Sequence, residues 1–253
     1  MDDHRLRSVL CVQHQDDCPP GHVGERLTDL GAELEIVDVR RGSLPDPREF
    51  DLVLSLGSDD AAHDEGVQYL RAEWKLLETA VDADVPVFGI CFGGQLLSRV
   101  LGGSVAPLPD GPEIGWLPVE SDDPEMFEPG PWLVWHLDGM TPPPGAAVVA
   151  RTDRATQAFA TERTVGVQFH PEVTMEGARV WSTNYRDQLL ALGLDPDELL
   201  EQVRVREPET RRRAHRLTDR VLERFGFWVT QPSQRAERVV AAETAQGWQV
   251  GHQ

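Results

Sequence analysis

Short apolar runs alternate with amphipathic stretches over the first hundred residues. Residues 9–13 form a brief apolar run, Pro19-Pro20-Gly21 interrupts the chain, and residues 22–31 read as a helix closed by Gly31. Residues 34–39 alternate weakly, the Pro-rich SLPDPREF follows, and residues 52–56 make an apolar run of buried-strand length that ends at Gly57. From residue 65 to about 80, Val67, Leu70, Trp74, Leu77 and Val81 recur at spacings of three and four, which marks one face of a helix. Then comes VPVFGICFGGQLL (85–97), an apolar run passing into an amphipathic one through a cysteine fenced by glycines. Strands alternating with helices predict an α/β fold, with a mostly parallel sheet covered by helices on both faces. Sites in such sheets form at the carboxyl ends of the strands.

Beyond Gly103 the texture changes. GPEIGWLPVE, PWLVWHLDGM and TPPPGAAVVA are short pieces rich in Pro and Gly, ending in TVGVQFHPE, and they predict short strands joined by turns that extend the sheet and wrap the site. From residue 176 the pattern is helical in three segments, GARVWSTNYRDQLLALG, PDELLEQVR and PETRRRAHRLTDRVLERFG. The stretch from Thr230 is polar and weakly patterned, and reads as a loose tail. The expected organisation is therefore an α/β domain over residues 1–175 and a helical C-terminal extension over 176–253, with no internal repeat.

Charge narrows the partners. In 253 residues there are 24 Lys+Arg against 43 Asp+Glu, a net charge of −19, which opposes nucleic-acid phosphate and anionic lipid and leaves neither nucleic acid nor membrane as an expected partner. The three cysteines, Cys11, Cys18 and Cys91, lack metal-ligand spacing, so no metal is expected, and their odd number suits a reducing compartment. The first residues hold too short an apolar run for a signal peptide, and nowhere are there 18 consecutive apolar residues, so a cytoplasmic protein is expected. Eight arginines between Arg204 and Arg224 read as a solvated helix face with glutamate partners, or as a docking surface for an acidic partner or a second copy of the chain.

The fenced cysteine carries the chemistry. Gly89-Ile90-Cys91-Phe92-Gly93 has the form of a nucleophile elbow, in which a sharp strand-to-helix turn lifts one side chain above the sheet edge and leaves no room for side chains beside it. A thiol just before a helix meets unpaired backbone N–H groups and the positive end of the helix dipole, which favour thiolate and can hold an oxyanion. Glycine and cysteine also occur near strand ends for packing alone, so the elbow needs a base. The candidate base lies in VGVQFHPE, where an apolar strand runs into His170, Pro171 fixes a turn and Glu172 follows. A lone histidine beside Pro-Glu is also an ordinary surface turn. Together, the elbow and the strand-end His-x-Glu point to nucleophilic catalysis.

GICFGGQ, followed about eighty residues later by QFHPE, resembles the class I glutamine amidotransferases. The resemblance extends to LGS after the third strand, PEIGW, WHLD and PPGA, and is greatest to free-standing proteins that resemble the glutaminase domain of GMP synthase. It implies a flavodoxin-like glutamine amidotransferase fold and a Cys-His-Glu triad that hydrolyses the side-chain amide of glutamine without a cofactor. By position, Cys91 is the nucleophile, His170 the base and then acid, and Glu172 its partner. The resemblance also implies an oxyanion hole from the backbone N–H groups of Phe92 and Ser58, although Gly57-Ser58-Asp59 departs from the Gly-Gly-Pro often found there. Gly57, Gln95, Trp135, Leu137 and Asp138 fall at positions that bind glutamine. His136 is the rival base, and His170 is preferred because only it has the following Pro-Glu.

No GxxxxGK[ST] phosphate loop is present, nor enough spare length for an ATP-dependent synthase domain, so ammonia would pass to a separate synthase or the chain would act alone. A γ-glutamyl peptidase and a catalytically silent binding protein of the same fold are the alternatives. A homo-oligomer is possible on this sequence.

Overall fold

The computed structural model describes residues 4–229. The loose tail expected from Thr230 lies outside the described residues. β1 (Ser8–Gln13), α1 (Gly21–Asp29), β2 (Glu33–Asp38), β3 (Leu52–Ser55), α2 (Leu70–Asp82), β4 (Val87–Ile90) and α3 (Phe92–Val100) realise the alternation read from the first hundred residues. Eight short strands follow, β5 (Val105–Pro107), β6 (Glu113–Leu117), β7 (Glu120–Ser121), β8 (Trp132–His136), β9 (Asp138–Met140), β10 (Ala147–Arg151), β11 (Thr156–Ala160) and β12 (Thr164–Val167). The chain then runs through α4 (Met175–Asn184), α5 (Arg186–Ala191) and α6 (Pro196–Arg224).

The main sheet has the order β2-β1-β3-β4-β12-β11-β10-β7. Strands β2, β1, β3, β4 and β12 are parallel, and β11, β10 and β7 continue the sheet antiparallel. The mostly parallel α/β fold with a C-terminal helix is therefore observed. β5 pairs with β9 and β6 with β8 in two separate ribbons. The central parallel strands are buried on both faces, because successive side chains point to opposite sides. Val9 and Cys11 of β1 pack with Val23 and Leu27 of α1 and Leu217 and Val221 of α6, whereas Leu10 and Val12 pack with Leu77 of α2 and Leu96 of α3. The crossover from β4 to β12, with Gly89 opposite Gly166, brings the end of the cysteine strand beside the strand that leads to His170.

Two helical expectations shift. The helix over residues 65–80 begins only at Leu70, and its buried face is Leu70, Glu73, Leu76, Leu77 and Ala80, leaving Val67, Trp74 and Val81 half-buried. A carboxylate occupies the middle of the face because His14 and Ser55 hydrogen-bond it, as described below. The three C-terminal segments are also divided differently. The first breaks at Tyr185 into α4 and α5, while the second and third fuse into α6, which passes through Pro208. An internal proline removes one helix hydrogen bond and costs about 3 kcal/mol. The apolar stripe of Leu199, Val203, Ala214, Leu217, Val221 and Leu222, buried against the rest of the fold, offsets that cost.

The arginines of α6 are mostly matched. Arg204 pairs with Glu201, Arg211 with Glu25, Arg212 with Glu209, Arg216 with Glu128 and Arg220 with Glu223, while Arg206 lies over the Trp116 ring. Arg26 of α1 and Asp219 of α6 make a bidentate, largely buried bridge with N–O distances of 2.7 and 2.9 Å, which ties the two helices together on one face of the sheet.

Candidate active site

β4 delivers Cys91 and α3 starts at the next residue. Cys91 has φ 50° and ψ −108°, a conformation that costs an L-residue on the order of 1–3 kcal/mol and persists where the surroundings enforce it. The enforcement is visible. The Cys91 N–H donates to the Val167 carbonyl at 2.7 Å, its own carbonyl accepts from Gln95 N at 2.8 Å, and Gly93 N donates to the Leu56 carbonyl at 3.0 Å. A Cβ on Gly93 would stand 2.3 Å from the Ser55 carbonyl oxygen, and one on Gly89 would stand 2.6 Å from the Gly93 backbone. The glycine fence is thus a close approach of three backbones, which raises the thiol at the strand end. Phe92 is the first residue of α3, so its N–H is among the helix-start amides that lack an intrahelical acceptor.

His170 follows β12 by three residues. Its N–H donates to the Leu133 carbonyl at 2.8 Å, its Nδ1 lies 2.7 Å from Glu172 Oε1, and its Nε2 lies 3.3 Å from the Trp135 carbonyl. Trp181 of α4 stands edge-on to the ring at 4.9 Å between centroids. Both His170 and Glu172 are buried. Burial alone pushes the imidazole pKa down, but the neighbouring charges of the Glu172 carboxylate, which is also hydrogen-bonded to it, and of the Cys91 sulfur raise it well above the ordinary 6.5. The Cys91 sulfur additionally donates to the Trp135 carbonyl at 3.8 Å and accepts from Gln168 Nε2 at 3.6 Å.

Around this group the chain forms a cavity of about 530 Å³, lined by Ser58, Gln95, Trp135, Leu137 and Asp138 as well as Cys91 and His170. Gly57 borders it closely, since a Cβ there would be 3.5 Å from His170 Cε1 and 3.8 Å from Cys91 Cβ. Gln95 is not an exposed helix residue: it is buried, and its Nε2 donates to the Asp138 carbonyl at 3.2 Å and to Gln168 Oε1 at 3.1 Å. The Leu137 side chain is half exposed, while its carbonyl accepts from Leu108 N. Asp138 faces His63 at 3.2 Å. His136 is occupied elsewhere, with Nδ1 2.8 Å from the Asp138 carbonyl and Nε2 3.2 Å from Glu113. The fold therefore gathers the candidate catalytic, oxyanion and substrate-binding residues at one end of the parallel strands.

The family model described as glutamine amidotransferase class-I matches residues 23–185. The chain belongs to this family. Among curated proteins it is 38% identical over 167 residues to a GMP synthase [glutamine-hydrolyzing] of Aeropyrum pernix, covering 60% of this chain and 30% of that one. It is 29% identical over 178 residues to the GMP synthase [glutamine-hydrolyzing] of Malacoplasma penetrans, covering 66% and 32%. The chain thus spans about a third of the length of these relatives. Among solved structures, a glutamine amidotransferase from Thermotoga maritima superposes with a TM-score of 0.79 at 29% identity, covering 87% of this chain and 100% of that one. One from Methylobacillus flagellatus gives 0.79 at 26% identity, covering 89% and 98%.

Several residues around this candidate site escape a reading of the sequence. Gln168 touches the sulfur but sits two positions before His170, where strand burial hides its role. Trp181 and Asn184 of α4, Tyr185 at the break and Gln188 of α5 line the cavity, in a segment whose helical pattern says nothing of its neighbours. Cys18 lines it too, and burial together with Asp17 drives its thiol far above the ordinary value, which keeps it protonated. Among the described residues no group of three or more His, Cys, Asp or Glu could hold a metal ion, and no helix is long and apolar enough to cross a membrane.

Proposed function

We propose that the protein hydrolyses the side-chain amide of glutamine to glutamate and ammonia through a cysteinyl thioester. The observation that carries this reading is the gathering of three residues at one cavity: Glu172 hydrogen-bonds His170, and His170 lines the cavity with the Cys91 sulfur, which a strained strand-to-helix turn holds there. The Cys91 thiolate attacks the amide carbon, forming a C–S bond and a tetrahedral oxyanion opposite the N–H groups of Phe92 and Ser58. Protonated His170 gives its proton to the amide nitrogen, the C–N bond breaks, and ammonia leaves. Water then loses a proton to neutral His170 and attacks the thioester, releasing glutamate and restoring the thiol. Glu172 holds the ring through Nδ1, which leaves Nε2 facing the reacting atoms. Gln95 and the backbone of Trp135, Leu137 and Asp138 form the substrate end of the cavity.

Ammonia released here would serve a separate synthase, a reading supported by relatives named as glutamine-hydrolysing GMP synthases, in which the matched segment is about a third of the chain. The cavity also favours a second reading. At about 530 Å³ it falls within the ordinary range for drug-sized ligands, so a γ-glutamyl amide with a larger leaving group is accommodated. The purified protein is expected to release glutamate and ammonia in equal amounts from glutamine, with Cys91→Ala inactive. Release from larger γ-glutamyl amides but not from glutamine would select the second reading, and release that persists in Cys91→Ala would refute both.

A further inference from the structure

Behind the oxyanion loop lies a buried polar cluster that the proposed chemistry leaves unused. His14, the residue after β1, and Glu73, in the first turn of α2, have fully buried side chains, with His14 Nε2 2.7 Å from Glu73 Oε2. Ser55 Oγ at the end of β3 donates to the other Glu73 oxygen at 2.7 Å. The second ring nitrogen, His14 Nδ1, lies 3.1 Å from the carbonyl oxygen of Gly57. A carbonyl only accepts, so Nδ1 carries the proton, and the direction of this bond holds whether the proton shared between Nε2 and Glu73 rests on one or the other. The ring packs with Phe92 and Tyr69 in a three-ring cluster, at 4.7 and 5.3 Å between centroids.

The consequence follows from peptide geometry. The Gly57–Ser58 bond is trans, so its N–H points opposite its carbonyl. With the Gly57 carbonyl drawn back to His14, the Ser58 N–H is turned away from His14. A Cβ on Gly57 would stand 3.5 Å from His170 Cε1 and 3.8 Å from Cys91 Cβ, so the turn borders both residues, and Ser58 lines the cavity with them. A flipped peptide would bring a carbonyl oxygen, a partial negative charge, to the place where the oxyanion develops, and would withdraw one donor. Nothing in the backbone resists that flip at Gly57, which lacks a side chain. We propose that His14, braced by Glu73 and Ser55, is a positioning residue that locks the Gly57–Ser58 peptide with its N–H toward the oxyanion formed on Cys91. The inference rests on the reading of the cavity as an amide-hydrolysing site.

The test compares His14→Phe, which keeps the ring contacts and removes the donor, with Glu73→Gln, whose amide can donate to Nε2 and accept from Ser55. Removal of one oxyanion donor costs about 10²–10³ in kcat. His14→Phe is therefore expected to lower kcat for glutamine about 100-fold with KM little changed, and to weaken binding of glutamate γ-semialdehyde, which adds to Cys91 as a tetrahedral thiohemiacetal, in the same proportion. Glu73→Gln is expected to retain most of both. Wild-type kcat and semialdehyde affinity in a folded His14→Phe protein would overturn the proposal, as would a rise in KM alone. Should His14→Phe fail to fold, Ser55→Ala loosens the same brace more gently, and an unchanged semialdehyde affinity there would count against it. A wild-type protein that binds the semialdehyde at Cys91 without turning over glutamine would sink the glutaminase reading, while the affinity series would still test the peptide's orientation.

Discussion

Replacing Glu172 by Gln isolates the contribution of one charge to the site. The carboxylate lies 2.7 Å from His170 Nδ1, both groups are buried, and the His170 pKa stands well above 6.5 because the Glu172 charge and the Cys91 sulfur outweigh the opposing effect of burial. Gln keeps the shape and an oxygen that accepts from Nδ1 but removes the charge. Opposite charges about 4 Å apart at an effective dielectric of 20 attract by about 4 kcal/mol, which bounds what the charge contributes. The His170 pKa should therefore fall back toward its ordinary value. The imidazolium that protonates departing ammonia becomes scarcer, so kcat/KM for glutamine should drop roughly 100-fold at neutral pH and the alkaline limb of the pH profile should move to lower pH. The same shift appears in stability. A histidine whose folded pKa is raised stabilises the fold fully below its unfolded value near 6.5 and loses that contribution as pH rises through the raised value. Wild type should therefore exceed Glu172→Gln in melting temperature most below pH 6.5, with the gap closing at alkaline pH. A profile displaced toward higher pH, or a gap that widens with pH, would refute the electrostatic argument.

Gly93→Ala should be inactive and less stable, because its Cβ would have to clear the Ser55 carbonyl oxygen now 2.3 Å from that position, and a displacement of about 1 Å at the helix start is enough for a 100-fold loss; glutamate release and thermal unfolding report both effects. Trp181→Ala should lower stability by about 3 kcal/mol and reduce turnover by freeing the His170 ring, whereas Trp181→Phe should keep most of the activity, as measured by denaturant unfolding and steady-state kinetics. Arg26→Leu strands Asp219 and should cost ~2 to 3 kcal/mol, or roughly 4–12 °C in melting temperature, with kcat unchanged because the pair lies on the α1 and α6 face of the sheet.

The parts of this protein that are legible in its sequence are those whose physics is local. Buried parallel strands announce themselves as apolar runs, and the elbow as glycines around Cys91, because a Cβ at Gly89, Gly93 or Gly94 would lie only 2.3–2.7 Å from neighbouring backbone atoms. The strand-end His170 with Glu172 is legible for the same reason, two residues of separation being enough to set Nδ1 on the carboxylate. Contacts that span the chain are hidden. Glu73 interrupts the apolar face of α2 and looks like a surface residue until His14, fifty-nine positions away, is found on it. Trp181 reads as core or pocket-rim packing, and only the fold shows that it stands against the His170 ring. Pro208 reads as a helix start, and only the stripe that α6 buries from Leu199 to Leu222 shows why the helix continues through it.

Reaction of the protein with a glutamine-mimicking diazo-ketone, followed by peptide mass spectrometry, tests the central claim most directly. The account predicts a single adduct on Cys91, slowed by added glutamine and abolished in His170→Ala, with the buried Cys11 and Cys18 unmodified. Labelling spread over all three cysteines at equal rates, or labelling of Cys91 that glutamine does not slow, would contradict it.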